Sequence, residues 1–93
     1  MSYQVDLSRA ARRALTERLP QKIVSAVLEF MDGPLRENPL RLSEPLHEPF
    51  EGLRAARRGP YRILFTVDQG LELITIIDIA YHDDAYRPPQ GKV

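Results

Sequence analysis

The sequence predicts an α+β fold, a two-layer sandwich in which a helical hairpin packs on a mainly antiparallel four-stranded sheet. The apolar spacing is strand-like at residues 3–7, helical across residues 10–31 and strand-like again after Gly52. The predicted order is therefore βααβββ, with a short helical turn near the C-terminus. The 93 residues contain no internal repeat or linker, which indicates one domain, residues 1–93, with a tail at 88–93.

The first half of the chain predicts one strand and two helices. Residues 3–7 alternate between apolar and polar side chains, which is typical of a half-buried strand. Ser8 is a suitable N-cap for a first helix that runs to Leu19. Pro20 can start a second helix, where its missing N–H costs nothing, and this helix should end before Gly33.

The segment between Gly33 and Gly52 predicts a long ordered loop. It contains four prolines and few periodic apolar residues, so we expect it to lie across the surface. His47 lies in this segment, and we interpret it as a structural or exposed residue rather than a catalytic one.

The second half of the chain predicts three strands. Residues 53–58 and 61–67 form a hairpin around a Gly-Pro pair, and residues 71–79 form a further strand. Because this strand is apolar at nearly every position from Leu73 onward, it should lie inside the sheet with both faces covered. The segment AYHDDAYR that follows is too polar for a strand, and its acidic residues favour a short helical turn.

The predicted hairpin is strongly basic. It carries four arginines within nine residues and no acid before Asp68. These arginines are Arg54, Arg57, Arg58 and Arg62. Several guanidinium groups on one strand pair suit a polyanion or a pentavalent phosphate transition state. The alternative interpretation is that they are solvated charges that protect a sheet edge from aggregation.

Composition argues against several other classes of protein. The chain has no cysteine, and His47 and His82 lack the spacing of zinc ligands, so we expect no metal and no other cofactor. Thirteen basic and thirteen acidic residues argue against a general nucleic-acid coat protein. The N-terminal residues lack an apolar signal core and no run is long enough to span a membrane, so we expect a cytoplasmic protein without a membrane partner.

The ordered set of motifs resembles the RelE/ParE toxin superfamily, and its RelE-like branch in particular. GLRAARRGPYRILFTVD resembles the GL-x-R-x-R-x-G-x-YR-hydrophobic hairpin of these toxins, and DIAYHDDAYR resembles their terminal H-R-x-x-x-Y segment. LPQKIVSAVLEF, followed by NPLRL and EPL, resembles the actinobacterial-type RelE toxins. The resemblance covers about residues 3–87.

This resemblance implies a toxin of a type II toxin–antitoxin system. It implies a ribosome-dependent endonuclease that enters the ribosomal A site and cuts messenger RNA. The ribose 2′-OH attacks the adjacent phosphate without a metal ion, which requires a base, a cation for the phosphorane and an acid for the leaving oxygen. A cognate antitoxin would bind the toxin in a hetero-oligomer.

The resemblance also implies roles for individual residues. Arg62 would stabilise the phosphate in the transition state, Arg57 would help to hold it, and Tyr86 would stack on or position the substrate base. His82 stands where the family has an arginine, and we predict that it is a general acid or base. The predicted RNA-binding residues are Arg54, Arg58 and Arg87.

The sequence departs from the family at Ala55, where many members have a second lysine or arginine. Loss of that charge puts the identity of the usual base in doubt. The near-neutral net charge is a further departure, because ribosome-dependent members tend to be basic. Two alternatives remain open at this point: a ParE-like toxin that poisons DNA gyrase, and a catalytically degenerate module that only binds an antitoxin.

Overall fold

The computed structural model describes residues 2–81 of the chain. Its strands are β1 (Gln4–Leu7), β2 (Glu44–Pro45), β3 (Arg54–Arg58), β4 (Tyr61–Asp68) and β5 (Leu73–Tyr81). Its helices are α1 (Arg9–Arg13), α2 (Gln21–Asp32) and α3 (Pro34–Glu37). The strands form one sheet in the order β1-β5-β4-β3-β2, in which only β1 and β5 are parallel. The predicted α+β class is confirmed, and the predicted C-terminal helical turn lies outside the described residues.

The helical hairpin begins at Ser8, as predicted. The Ser8 Oγ accepts a hydrogen bond from the Ala11 N–H at 3.0 Å and donates one to the Ile77 carbonyl at 2.6 Å, which ties α1 to β5. α1 continues into a π-helical turn, Ala14–Arg18, that the spacing did not predict, and α2 starts directly after Pro20. No helix of the described residues has the length and apolar character of a membrane span.

The core lies between the helices and one face of the sheet. β5 lies between β1 and β4, which confirms its predicted place inside the sheet. Its Ile74, Ile76 and Ile79 are fully buried on the helix side. Thr75 and Ile77 remain half-exposed, so the prediction that both faces of this strand are covered is correct only for the helix side.

β5 starts and ends two residues later than predicted. Leu71 belongs to the preceding turn, where its N–H donates to the Asp68 carboxylate at 2.9 Å. At the other end Tyr81 pairs with Tyr61 of β4 and stacks on it, with ring centroids 4.6 Å apart. The polar composition after Ile79 suggested an earlier end, but this cross-strand contact extends the strand.

The segment predicted to be one long loop contains α3 and β2, and the sheet therefore has five strands rather than four. Pro34 occupies the first turn of α3, where its missing N–H costs nothing. Glu44 and Pro45 pair with Ala55 and Arg54 along the outer edge of β3. A proline is compatible with an edge strand because no neighbour needs its N–H. Two residues are too few to give a periodic signal in the sequence.

Candidate functional site

The hairpin of β3 and β4 turns tightly through Gly59 and Pro60. Gly59 has a φ of 60°, in the left-handed region that glycine adopts without a steric penalty. The register places Arg57 directly opposite Arg62. Residues in such positions have Cβ atoms about 4.5–5.5 Å apart, so the two side chains share one small area of the sheet surface.

Strand alternation separates the arginines of β3 into two groups. Ala56 belongs to the helix-side core, and the guanidinium of Arg58 lies over the ring of Phe30 in α2, 4.4 Å from its centroid. Arg54 shares this face, because successive side chains of a strand point to opposite sides. Arg57 therefore lies on the face of the sheet opposite the helices.

A cavity of about 470 Å³ opens on this second face. Its lining includes the two arginines of the hairpin and residues of the segment that precedes and forms β2. The lining residues are Arg41, Leu42, Ser43, Glu44, Ala55, Arg57 and Arg62. Three guanidinium groups and one carboxylate therefore line the same open space.

Arg41, Arg57 and Glu44 form no ion pair with another residue of the range 2–81. The ion pairs in this range are Arg13–Glu17, Arg18–Asp78 and Arg36–Asp32, and none involves Arg41, Arg57 or Glu44. A phosphate can accept hydrogen bonds from two guanidinium forks that share one area of a sheet surface. The arrangement is suited to binding an anion beside a carboxylate.

Arg54 makes a different set of contacts. Its Nε donates to the Ser43 Oγ at 2.7 Å, and its Nη2 donates to the carbonyls of Leu40 and Ser43 at 3.1 and 3.2 Å. These acceptors belong to the segment that carries Arg41 and Glu44. The Arg54 guanidinium is thus hydrogen-bonded to the segment before β2, and Arg54 does not line the cavity.

The structure brings together two of the predicted site residues, Arg57 and Arg62. It places Arg54 and Arg58 on the helix side of β3, and their predicted binding role stays a prediction. The predicted residues His82, Tyr86 and Arg87 lie outside the described residues. β5 ends at Tyr81, directly before His82 in the chain, and its Ala80 lies opposite Arg62.

Sequence reasoning missed Arg41 and Glu44 as candidate site residues. Both lie in the segment that was expected to be a surface loop, so neither was placed near the hairpin. A signal was nevertheless present, because they belong to the motifs NPLRL and EPL that carry the family resemblance. The pairing of Glu44 with Ala55 brings a carboxylate beside the position where the family's usual basic residue is absent.

Tyr61 lies at the end of the hairpin, on the helix side of the sheet. Burial, followed by a hydrogen bond and electrostatic repulsion from Tyr81, raises the pKa of the Tyr61 phenol above its ordinary value. The side chain is only 6% exposed and stacks on Tyr81 at an interplanar angle of 21°. The pair fastens the end of β5 to β4, next to the cross-strand partners Arg62 and Ala80.

Among the side chains of residues 2–81, no group of three or more histidines, aspartates or glutamates is placed to hold a metal ion. The cavity itself is lined by three arginines and one glutamate. Guanidinium groups stabilise negative charge, and a carboxylate can accept a proton.

Comparison with known proteins identifies the family. A family model described as the ParE toxin of the type II toxin–antitoxin system parDE matches residues 4–86. Two relatives from Mycobacterium tuberculosis are similar in sequence: Toxin RelE is 46% identical over 85 residues, covering 91% of this chain and 87% of that protein. Toxin RelG is 39% identical over 87 residues, covering 94% and 99%.

Solved structures agree with this result. The crystal structure of the toxin–antitoxin complex RelBE2 from M. tuberculosis contains a chain with 36% identity and a TM-score of 0.82, covering 88% of this chain and 100% of that one. A RelE–RelB complex from Pyrococcus horikoshii, at 24% identity and a TM-score of 0.63, covers 87% and 96% and shares the fold. The resemblance predicted from sequence is confirmed: this chain belongs to the ParE toxin family of type II toxin–antitoxin systems.

Proposed function

We propose that this toxin is an endoribonuclease that cuts messenger RNA on the ribosome. The observation that carries the proposal is the cavity on the open face of the sheet, which is lined by Arg41, Arg57 and Arg62 together with Glu44. The names of the relatives, Toxin RelE and Toxin RelG, also support it. The sequence resemblance to RelE toxins implies the same substrate.

In the proposed reaction the ribose 2′-OH attacks the adjacent phosphorus. The 2′-oxygen forms a bond to phosphorus, its proton passes to the base, and the bond from phosphorus to the 5′-oxygen breaks. The leaving oxygen receives a proton from the acid. The products are a 2′,3′-cyclic phosphate and a new 5′-hydroxyl end, and the step consumes no metal or external reactant.

Glu44 is the proposed base. Among the described residues 2–81 it is the only carboxylate that lines the cavity, and its strand partner is Ala55, the position at which many family members carry a basic residue. A positioned general base contributes about 10²–10⁴-fold to such a reaction. In this proposal Glu44 of β2 supplies the proton acceptor that β3 lacks.

Arg57 and Arg62 are the proposed phosphate ligands. Two planar forks from adjacent strands suit the equatorial oxygens of a phosphorane, whose negative charge increases in the transition state. Arg41 lines the same cavity and adds a third cation from the neighbouring segment. Preorganised donors of this kind lower the barrier because they need little rearrangement during the reaction.

The proposed general acid is His82, which is inferred from the sequence. His82 follows the last residue of β5, whose Ala80 and Tyr81 pair with Arg62 and Tyr61 of the hairpin. A histidine has an ordinary pKa near neutrality, about 6.5, which suits proton donation to the leaving oxygen. Tyr86 is proposed to stack on the substrate base, and Arg87 to contact the RNA backbone.

We also propose a cognate antitoxin as the protein partner. The RelBE2 structure is described as a toxin–antitoxin complex, and the family is defined by such systems. A hetero-oligomer with the antitoxin would keep the toxin inactive, and release would give it access to translating ribosomes. This function places the toxin in the cytoplasm.

The second candidate function is poisoning of DNA gyrase. The observation that favours it is the family match, which is to the ParE toxin. A gyrase poison on this fold has no need of Glu44 beside three arginines. The cavity therefore separates the two candidates, because substitutions within it should abolish a nuclease and leave a gyrase poison active.

Purified toxin added to a translating extract tests the proposal. We expect cleavage of the messenger RNA within the reading frame, and at least a 100-fold slower rate for Glu44→Gln and for Arg57→Gln. Arg13→Gln is the matched control for Arg57→Gln, because it removes the same charge from an exposed position on α1. Glu48→Gln is the matched control for Glu44→Gln, because Glu48 is exposed and does not line the cavity. Intact messenger RNA, together with gyrase-dependent DNA breaks, would refute the nuclease and favour the alternative.

A further inference from the structure

Arg54 is tied to the segment that precedes β2. Its guanidinium donates three hydrogen bonds, to the Ser43 side chain and to the carbonyls of Leu40 and Ser43, over distances of 2.7–3.2 Å. All three acceptors lie within four residues of one another in the chain. The planar fork of an arginine is therefore used here to hold backbone in place.

Ser43 completes this network. Its hydroxyl accepts from the Arg54 Nε and donates to the Pro39 carbonyl at 2.6 Å, so both hydrogen-bonding functions of the group are used. The Leu42 N–H also donates to the Asn38 carbonyl at 3.1 Å. Residues 38–43 are consequently held by hydrogen bonds within the segment and by the hydrogen bonds from Arg54 of β3.

This segment and the residue directly after it supply two charged cavity residues that lie outside the hairpin. Arg41 lies inside it and Glu44 follows it directly, and both line the cavity opposite Arg57 and Arg62. Arg54 lies on the helix side of β3, whereas Arg41 and Glu44 line the cavity on the open face. Its hydrogen bonds therefore reach around the edge of the sheet to the segment before β2. Loss of its fork would free Arg41 and Glu44 to move relative to the hairpin.

We propose that Arg54 is a positioning residue, which fixes Arg41 and Glu44 against the phosphate-binding arginines without touching RNA. The inference rests on the proposed nuclease and deepens it. It differs from the expectation based on sequence, in which Arg54 binds RNA directly. A lysine cannot replace this arginine, because its three donors share one nitrogen and do not reach three separated acceptors.

The lysine substitution separates the two roles. Arg54→Lys keeps the positive charge and removes the fork, whereas Arg54→Met removes both. A positioning role predicts that cleavage falls at least tenfold in either variant, with an unchanged dependence of RNA binding on salt. Direct phosphate contact predicts near-normal cleavage by Arg54→Lys and a salt slope reduced by about one in Arg54→Met.

Ser43→Ala provides an independent variant, because it changes no charge and removes the central acceptor of the network. We expect it to reproduce the loss of cleavage in Arg54→Lys. Arg36→Lys is the matched control, since Arg36 also bonds a backbone carbonyl, that of Tyr3, at 2.9 Å but lies away from the cavity. It should retain the wild-type cleavage rate.

Amide hydrogen exchange tests the positioning role without relying on catalysis. The N–H groups of Leu42 and Leu46 are bonded to the carbonyls of Asn38 and Leu53, so they report directly on this segment. We expect both to exchange at least about tenfold faster in Arg54→Lys and Ser43→Ala, and at the wild-type rate in Arg36→Lys. The circular dichroism spectrum should stay that of the wild type.

The outcomes are distinguishable. Unchanged exchange at Leu42, or a lower salt slope for Arg54→Met, would overturn the positioning role of Arg54. A wild-type protein that leaves messenger RNA intact would instead overturn the proposed nuclease, while the exchange rates would still decide whether Arg54 holds the segment.

Discussion

Arg57 and Arg62 are direct cross-strand partners, on the face of the sheet that the helices leave open. Cross-strand partners have Cβ atoms about 4.5–5.5 Å apart, so the two side chains share one area of the sheet surface. The carboxylate of Glu44 lines the same cavity from the neighbouring edge strand. The two proposed phosphate ligands and the proposed base therefore line one open space.

Removal of one arginine should therefore separate stability from anion binding. We expect Arg57→Gln to change the free energy of unfolding little in phosphate-free buffer, because Arg57 is an exposed residue. Inorganic phosphate should raise the melting temperature of the wild type more than that of the variant. Thermal melts with and without phosphate measure both effects. An equal rise in melting temperature for the two proteins would contradict a phosphate site at Arg57.

Glu44→Gln should abolish RNA cleavage without unfolding the protein. We expect a loss of about 10²–10⁴-fold in the single-turnover cleavage rate, since the amide cannot accept the 2′-OH proton. The melting temperature should change little because Glu44 is exposed. Glu48→Gln is the matched control, as it removes an exposed carboxylate that does not line the cavity. Similar losses in both variants would rule out a specific role for Glu44.

Arg58 should contribute to stability rather than to RNA binding. Its guanidinium lies over the ring of Phe30, 4.4 Å from the centroid, and an exposed contact of this type is worth about 0.5–1 kcal/mol. We expect Arg58→Gln to lower the free energy of unfolding by that amount and to leave the salt slope of RNA binding unchanged. Arg57→Gln should reduce the slope by about one. A reduced slope for Arg58→Gln would instead support its predicted contact with RNA.

The raised pKa of Tyr61 predicts a loss of stability in alkaline solution. In the unfolded chain the phenol ionises near its ordinary pKa of about 10, whereas in the folded protein burial and Tyr81 keep it protonated to higher pH. The stability from this group is complete below the unfolded pKa and is lost as pH rises through the folded pKa.

Denaturant unfolding at a series of pH values measures this effect. We expect the free energy of unfolding of the wild type to fall relative to that of Tyr61→Phe as the pH rises above about 10. Tyr3→Phe is the control, since it removes a phenol from a different part of the core. A constant difference between wild type and Tyr61→Phe across this range would show that Tyr61 is not responsible.

The fold could be predicted largely from sequence because its main elements have strong local signals. The cap at Ser8, the start of α2 after Pro20 and the apolar run of β5 each agree with the structure. β2 could not be predicted, since Glu44 and Pro45 become a strand only through pairing with β3. Tertiary contact, rather than local propensity, defines an edge strand of two residues.

The site could be predicted only in part for the same reason. Arg57 and Arg62 were found because both lie in the hairpin, where the register follows from a tight turn. Arg41 and Glu44 reach the cavity through the segment held by Arg54, and no sequence spacing reports a contact of that kind. Arg54 and Arg58 also lie on the opposite face of β3 from Arg57, although all three belong to one basic stretch of the sequence.

Mapping of messenger-RNA 5′ ends after induction in cells tests the central claim most directly. The wild type should be compared with Arg62→Ala, Glu44→Gln and His82→Ala, with Arg13→Gln as the control that matches the charge change of Arg62→Ala. The account predicts new 5′ ends within translated frames for the wild type and the control, and their disappearance in the three cavity or acid variants. Growth arrest by the wild type without new ends would contradict the claim that this cavity is a nuclease site.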